Sequence, residues 1–345
     1  MSNHAPVETS SAPIVFRSRS ASPWIAAASL LTIGETFRLR APLKFFVRAL
    51  AQPRLTHAWL ARIIQPDLAE LWAAHPRLAT KLQRPYVSCQ WTRLERFAAL
   101  MGHYDSLTRV LSPKARRAAY DGGLSLVRLA TPVSGRALDV RLVYRDQFEK
   151  EGELTLVIHD VATDLILAGI TFCMAYNDSR RLMVVGGLQA SPDPRMRDLI
   201  HDIAKECHGF RPKALALWCL QVLASKWGIA QIQAVGDEQH IYRHAHKRRD
   251  FSACYDEFWS ESDGHRLSAG SWELPLELRV RSREELKPNR RKTHERRYAM
   301  LAALEPHLVQ ALEEAKSATV EPRRVTLLGR ESAPVAEREL AFHSA

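Results

Sequence analysis

The stretch HGFRPKALALWCLQVLASKWGIAQIQAVG, residues 208–236, sets the topology of the chain. A turn containing Gly209 leads to Pro212, and proline suits a first helical position because that position needs no backbone N–H. The helix that follows is apolar nearly all round, the pattern of a buried helix. Gly228 stops it, and Ile229–Gly236 then reads as a strand.

Upstream lie five β-rich runs, LSLVRLA, ALDVRLVYR, GELTLVIHD, LILAGITFCMAY and RLMVVGGLQAS, between residues 124 and 191. Gly, Asp and Asn punctuate them, so they read as consecutive antiparallel strands, with YNDSRR (176–181) as a hairpin loop. Residues 194–207 read as a helix. A strand, a helical crossover and a neighbouring strand imply one parallel pairing within an antiparallel sheet.

Residues 35–120 carry apolar positions at three- and four-residue spacing, broken at Pro53, Pro66 and Pro76, which predicts a bundle of short helices. LKPNRRKTHERRYAMLAALEPHLVQALEEAK (286–316) reads as a helix with a basic start. The predicted organisation is a disordered tail over 1–22, a helical region over 23–120, an α/β unit over 121–282, a basic helix over 283–317 and a disordered tail over 318–345. The predicted fold class is α+β, a helical bundle beside a mixed, mostly antiparallel sheet.

The chain has 345 residues, is 46% hydrophobic and 25% charged, and carries a formal net charge of +11. That composition belongs to ordinary globular proteins, and the charge favours anionic partners. Five scattered cysteines form no C-x-x-C and read as reduced and mostly buried. No apolar run reaches the roughly 18 residues of a membrane span. WIAAASLLTIG (24–34) reads as a helix start after Ser22-Pro23 rather than as a signal peptide. The expected setting is the cytoplasm, with peripheral association with an inner membrane left open.

Several stretches could carry chemistry. In FEKEGELTLVIHD, strand alternation would put Glu151 and Glu153 on one face as paired general acid and base; a solvated strand entrance is the plainer alternative. Gly186 and Gly187 allow either a β-bulge or a turn, the bulge exposing amides near Leu188 and Gln189. Gly209, Arg211 and Lys213 at a helix start suit a phosphate or pyrophosphate, although neither G-x-x-x-x-G-K-[ST] nor G-x-G-x-x-G occurs. His240 and His244 stand four apart without a third ligand, so no metal site is predicted. Tyr255 in CYDEFW reads as core or as a proton donor lining a pocket. The six cations between Lys287 and Arg297 suit phosphates of RNA, DNA or anionic lipid, or else a solvated helix face balanced by glutamates.

HPRLATKLQRPYVS, HYDSL, FEKEGELTLVI, VVGGLQAS, HGFRPKALAL, AVGDEQHIYR, YDEFW and RRKTHERRYAML, spread from about residue 36 to 312, together resemble the VirK/YbjX family of Gram-negative bacteria. One departure is Ala190, where that family is expected to have glycine. The resemblance implies links to virulence, antimicrobial-peptide resistance and envelope stress, and supplies no catalytic residues. The α/β unit over 121–282 is also acyltransferase-like: its order of elements resembles the acyl-CoA N-acyltransferase plan, in which a bulged strand binds the pantetheine arm and the next helix start holds the pyrophosphate. That resemblance implies acyl-CoA as cofactor, held by Gly186, Gly187, Leu188, Gln189, Gly209, Arg211 and Lys213. Glu151 or Glu153 would deprotonate an amine of an envelope component or a protein, and Tyr255 would protonate the thiolate. The plan's usual Q/R-x-x-G-x-G/A loop is missing, and a helix intervenes. The alternative function is a non-catalytic regulator that binds RNA or an anionic membrane through its basic C-terminal helix. The acyltransfer reading requires the amino end of the helix at Pro212 to open into a crevice.

Overall fold

The computed structural model describes residue 24 and residues 40–177, 180–243, 254–267, 269–316 and 323–326. The helical part comprises α1 (Arg40–Leu50), α2 (Pro53–Ile63), α3 (Ala69–Ala74), a 3-10 segment (Pro76–Gln83), α4 (Arg93–Val110) and α5 (Pro113–Tyr120). Prolines mark the breaks as expected: Pro53 and Pro76 each open an element and Pro66 lies in the turn between α2 and α3, while Pro113, not among the expected breaks, opens α5. At α4, Thr92 accepts from the Glu95 amide and Glu95 reaches back to the Thr92 amide, so two otherwise orphaned N–H groups are satisfied.

Among the described residues nine strands, β1 (Leu124–Ala130), β2 (Ala137–Val143), β3 (Leu154–Asp160), β4 (Leu165–Asn177), β5 (Arg180–Gln189), β6 (Gln231–Val235), β7 (His265–Arg266), β8 (Ser271–Leu274) and β9 (Arg323–Thr326), form a sheet in the order β7-β8-β6-β5-β4-β3-β2-β1-β9. Strands β1 to β5 form the antiparallel meander read from the sequence. Helices α6 (Met196–Glu206) and α7 (Pro212–Lys226) then carry the chain to β6, which pairs parallel with β5 from Leu182↔Gln231 to Val185↔Ala234. Helix α8 (Tyr255–Glu261), β7, β8 and α9 (Pro288–Lys316) follow. The architecture is α+β, as expected.

Helix α7 is the central pillar: Leu215, Ala216, Cys219, Leu220 and Leu223 are essentially inaccessible, against β3, β4 and α9. Burying five such side chains contributes roughly 1.5–3 kcal/mol for each large one, which explains why a helix without a polar face is stable here. Cys173, Cys207 and Cys219 are buried, Cys89 is half-buried and Cys254 exposed, all as free thiols.

One expectation changes. The tail predicted over 318–345 contains β9 (Arg323–Thr326), which pairs parallel with the outer edge of β1. The rest of that tail, and the tail predicted over 1–22, lie outside the described residues. Among the described residues no helix is long and apolar enough to cross a membrane.

Candidate functional site

The turn before α7 is left-handed at two successive residues, His208 (φ 54°) and Gly209 (φ 74°). A histidine there is strained where glycine is not. Arg297 of α9 holds the turn: its guanidinium donates to the His208 carbonyl at 3.0 and 3.3 Å and lies 5.5 Å from the Phe210 ring centre. Arg211 then stays extended, and Pro212 starts the helix.

This amino end opens into a cavity of about 790 Å³ lined by Gly209, Arg211, Lys213, Arg281, His294 and Arg297, with Leu167, Phe258 and Leu278 among its apolar walls. The crevice required by the sequence reading is present. Among the described residues, Arg211, Lys213, Arg281 and Arg297 have no carboxylate within ion-pair distance. Burial lowers the pKa of the Lys213 ammonium. It also lowers His294, and there Arg297, Arg281 and Arg290 add to the effect. Free helix amides, the helix dipole and unpaired cations around one volume are the arrangement that attracts an anion. The facing wall carries Glu257, Glu261 and Asp263, of which Asp263 engages Arg279 at 3.6 Å.

The carboxylates form a second region. Glu149, Glu151 and Glu153 are 7%, 1% and 2% exposed, so none sits at a solvated strand entrance. Nor do Glu151 and Glu153 share a face. The chain turns through Phe148–Glu151, and β3 begins only at Leu154, so strand alternation does not reach back to them. Glu153 accepts from Lys81 Nζ at 2.8 Å and from the Tyr104 hydroxyl at 2.6 Å. Glu149 pairs with Arg84 at 2.6 Å. Glu151 accepts from Gln189 Nε2 at 2.8 Å and lies 3.4 Å from His240 Nε2.

Gly186 is a bulge. Pairing of β5 with β4 shifts between Val185↔Phe172 and Gly187↔Thr171, leaving Gly186 as the extra residue. A Cβ on Gly186 would lie 2.0 Å from the Glu151 carbonyl oxygen, and one on Gly187 would lie 2.1 Å from Glu151 Oε2. The two glycines therefore make room for Glu151. Beyond Val185 the parallel ladder ends while β5 continues, and Tyr255 from α8 takes the vacated edge. Its hydroxyl accepts from the Leu188 amide at 3.1 Å and from Gln189 Nε2 at 3.0 Å. Burial first, then Glu151, push the Tyr255 phenol far above its ordinary range. Next to this cluster Val87 is held at φ 57°, a strained conformation for a β-branched residue.

The sequence-predicted residues thus fall into groups. Glu151, Tyr255, Gly186, Gly187, Leu188 and Gln189 converge at the end of β5. Gly209, Arg211 and Lys213 line the cavity, and Glu153 belongs to a separate ion pair. None of the first group lines the cavity. Sequence reasoning missed His240 as a partner of Glu151, and Arg281 and Arg297 as cavity walls. His240 follows closely on β6, and positions just past the carboxyl end of a parallel strand are where sites collect in such sheets. That signal could have found it. His244 lies outside the described residues.

Fold and site define an α+β protein with a cavity, lined by cations and carboxylates, at the amino end of α7. Residues 35–310 match the model of the family described as "Protein of unknown function (DUF535)", and the chain belongs to that family. It is similar to the uncharacterized protein YbjX of Escherichia coli (strain K12), 30% identical over 270 residues, which covers 77% of this chain and 81% of YbjX. An uncharacterized protein of Haemophilus influenzae is 27% identical over 119 residues, 34% of this chain and 40% of that one. The resemblance read from the motifs is thereby borne out.

Proposed function

We propose that the cavity at the amino end of α7 binds the phosphorylated end of an acyl-CoA thioester, and that the protein transfers the acyl group to an amine of an envelope-related molecule or a protein. The observation that carries this reading is the set of unpaired cations around the α7 amides in a volume of about 790 Å³, within the usual range of small-molecule sites, ~300–1,000 Å³. The bulged β5, the α7 amino end and the parallel β6 come in the order of the acyltransferase plan, with α6 as an added helix between strand and helix start.

In this reading the amine attacks the thioester carbonyl carbon, the C–N bond forms and the C–S bond breaks. Glu151 takes the amine proton, directly or through water, and Tyr255 gives its proton to the departing thiolate. Amides near Gly187 polarise the carbonyl. Glu153 has no part, because Lys81 and Tyr104 already occupy it. Since the Tyr255 hydroxyl sits on the Leu188 amide, the thioester reaches the bulge by displacing it.

The test is thermal melting with acyl-CoA. At about a hundredfold excess over Kd the ligand adds roughly 2.7 kcal/mol, a rise of about 5 °C for a chain of this size. Arg211→Glu with Lys213→Glu should abolish that rise without lowering the ligand-free melting point by more than a few degrees. A well-folded protein whose melting no acyl-CoA moves would sink the reading.

A further inference from the structure

We propose that the segment joining β8 to α9, together with the first two turns of α9, is a docking surface for an anionic lipid bilayer. Between Glu277 and Arg297 the chain carries nine Lys or Arg residues against four glutamates. Three of the nine are engaged. Arg279 pairs with Asp263 and Glu285, Arg291 donates to the carbonyls of Arg283 and Leu286, and Arg297 holds His208. The other six, Arg281, Arg283, Lys287, Arg290, Lys292 and Arg296, are all exposed, and none has a carboxylate partner among the described residues. The glutamates of the run match part of this charge, Glu285 by pairing with Arg279 and Glu284 through its attraction to Arg283 and Arg291, and an excess of cations is left.

Apolar exposure decides between lipid and nucleic acid. Val280 is 66% exposed and Leu276 36%, in the same segment as these cations. Single-stranded RNA binds to exposed rings on which bases stack. The large exposed side chains here are aliphatic, and Tyr298 is half-buried, its hydroxyl accepting from the Arg281 amide at 3.1 Å. A valine set among arginines matches the headgroup boundary of a bilayer, with the side chain entering the apolar layer and the cations on the phosphates. Leu278, Arg279 and Arg281 of this segment line the cavity, so a bilayer seated here faces the cavity mouth. Docking stands apart from the thioester reading, and either can fail alone.

The test is co-sedimentation of the full chain with phosphatidylcholine vesicles carrying about a third phosphatidylglycerol, at ~0.1 M salt. Binding is expected to these vesicles and not to phosphatidylcholine alone. Each neutralised cation should weaken partition about fivefold, so Lys287→Gln, Arg290→Gln and Lys292→Gln together should lower it on the order of a hundredfold. Val280→Asp should lower it about tenfold while leaving melting with and without acyl-CoA unchanged. Three results would overturn the proposal. One is no preference for anionic vesicles. Another is vesicle binding that neither variant weakens. The last is an RNA oligonucleotide displacing the vesicles while Val280→Asp has no effect.

Discussion

Two charged regions of the molecule are built on opposite principles. Around Glu149 and Glu153 each carboxylate is buried with a basic partner supplied by the fold, and the Lys81–Glu153 pair is shut away from water on both sides. Around Arg211 and Lys213 the cations have no such partner and border open volume. A charge matched within the chain completes the fold, whereas the cations at the cavity edge are matched by no carboxylate among the described residues, and the proposed function gives them an anion from outside. Under the proposed function, the first region is a matter of stability and the second a matter of binding.

The largest effect should come from Lys81→Met. It strands Glu153, 2% exposed, without its cation, and breaking a buried pair from one side costs about 3–5 kcal/mol. Chemical denaturation measures it. Adding Glu153→Leu should restore much of the loss, because replacing both partners by apolar groups is often near neutral. Arg211→Gln with Lys213→Gln should cost no more than ~1 kcal/mol, as expected for groups outside any stabilising network. Equal losses at the two places would break the contrast.

Gly187→Ala should come next, at about 2 kcal/mol, because the new Cβ overlaps Glu151 Oε2 at 2.1 Å. In a Glu151→Ala background that penalty should largely vanish, a coupling of ~1 kcal/mol or more read from a double-mutant cycle. If it persists, the glycine serves the strand itself and not the seating of Glu151.

Legibility follows the same division. The strand meander could be read locally, because short β-rich runs end at Gly, Asp and Asn; β1 spans Leu124–Ala130, the LSLVRLA run itself. The parallel β5–β6 pair followed from an apolar helix between two strands, and the start of α7 at Pro212 from a turn, two cations and a proline in six residues. The carboxylates were misjudged because their partners are distant in sequence. Lys81 and Glu153 stand 72 residues apart, and no spacing rule connects them. The turn through Phe148–Glu151 also breaks the alternation on which their pairing relied. Strand β9 is four residues of a polar stretch on an outer edge, with no apolar face to advertise it.

The smallest expected effect lies in the pH dependence of the cavity. His294 faces Arg281, Arg290 and Arg297 and sits 3.4 Å from the Tyr298 hydroxyl; His208 lies near Arg296 and Arg297. Burial and then these cations lower both imidazole pKa values below the ordinary value, so both rings are neutral near pH 7. A folded pKa below the unfolded one means that the unfolded chain binds more protons. Ligand-free stability should therefore fall as pH drops through the ordinary histidine range, at about 6.5. An anion in the cavity offsets the cations and raises both imidazole pKa values, so binding takes up protons and tightens over the same interval. The melting rise caused by acyl-CoA should thus be larger near pH 6 than near pH 8, by about two- to fivefold in apparent affinity, while the ligand-free melting point moves the other way. His294→Gln should flatten part of that dependence and leave the binding itself. A rise that is the same at both values would mean that the anion does not sit among these cations.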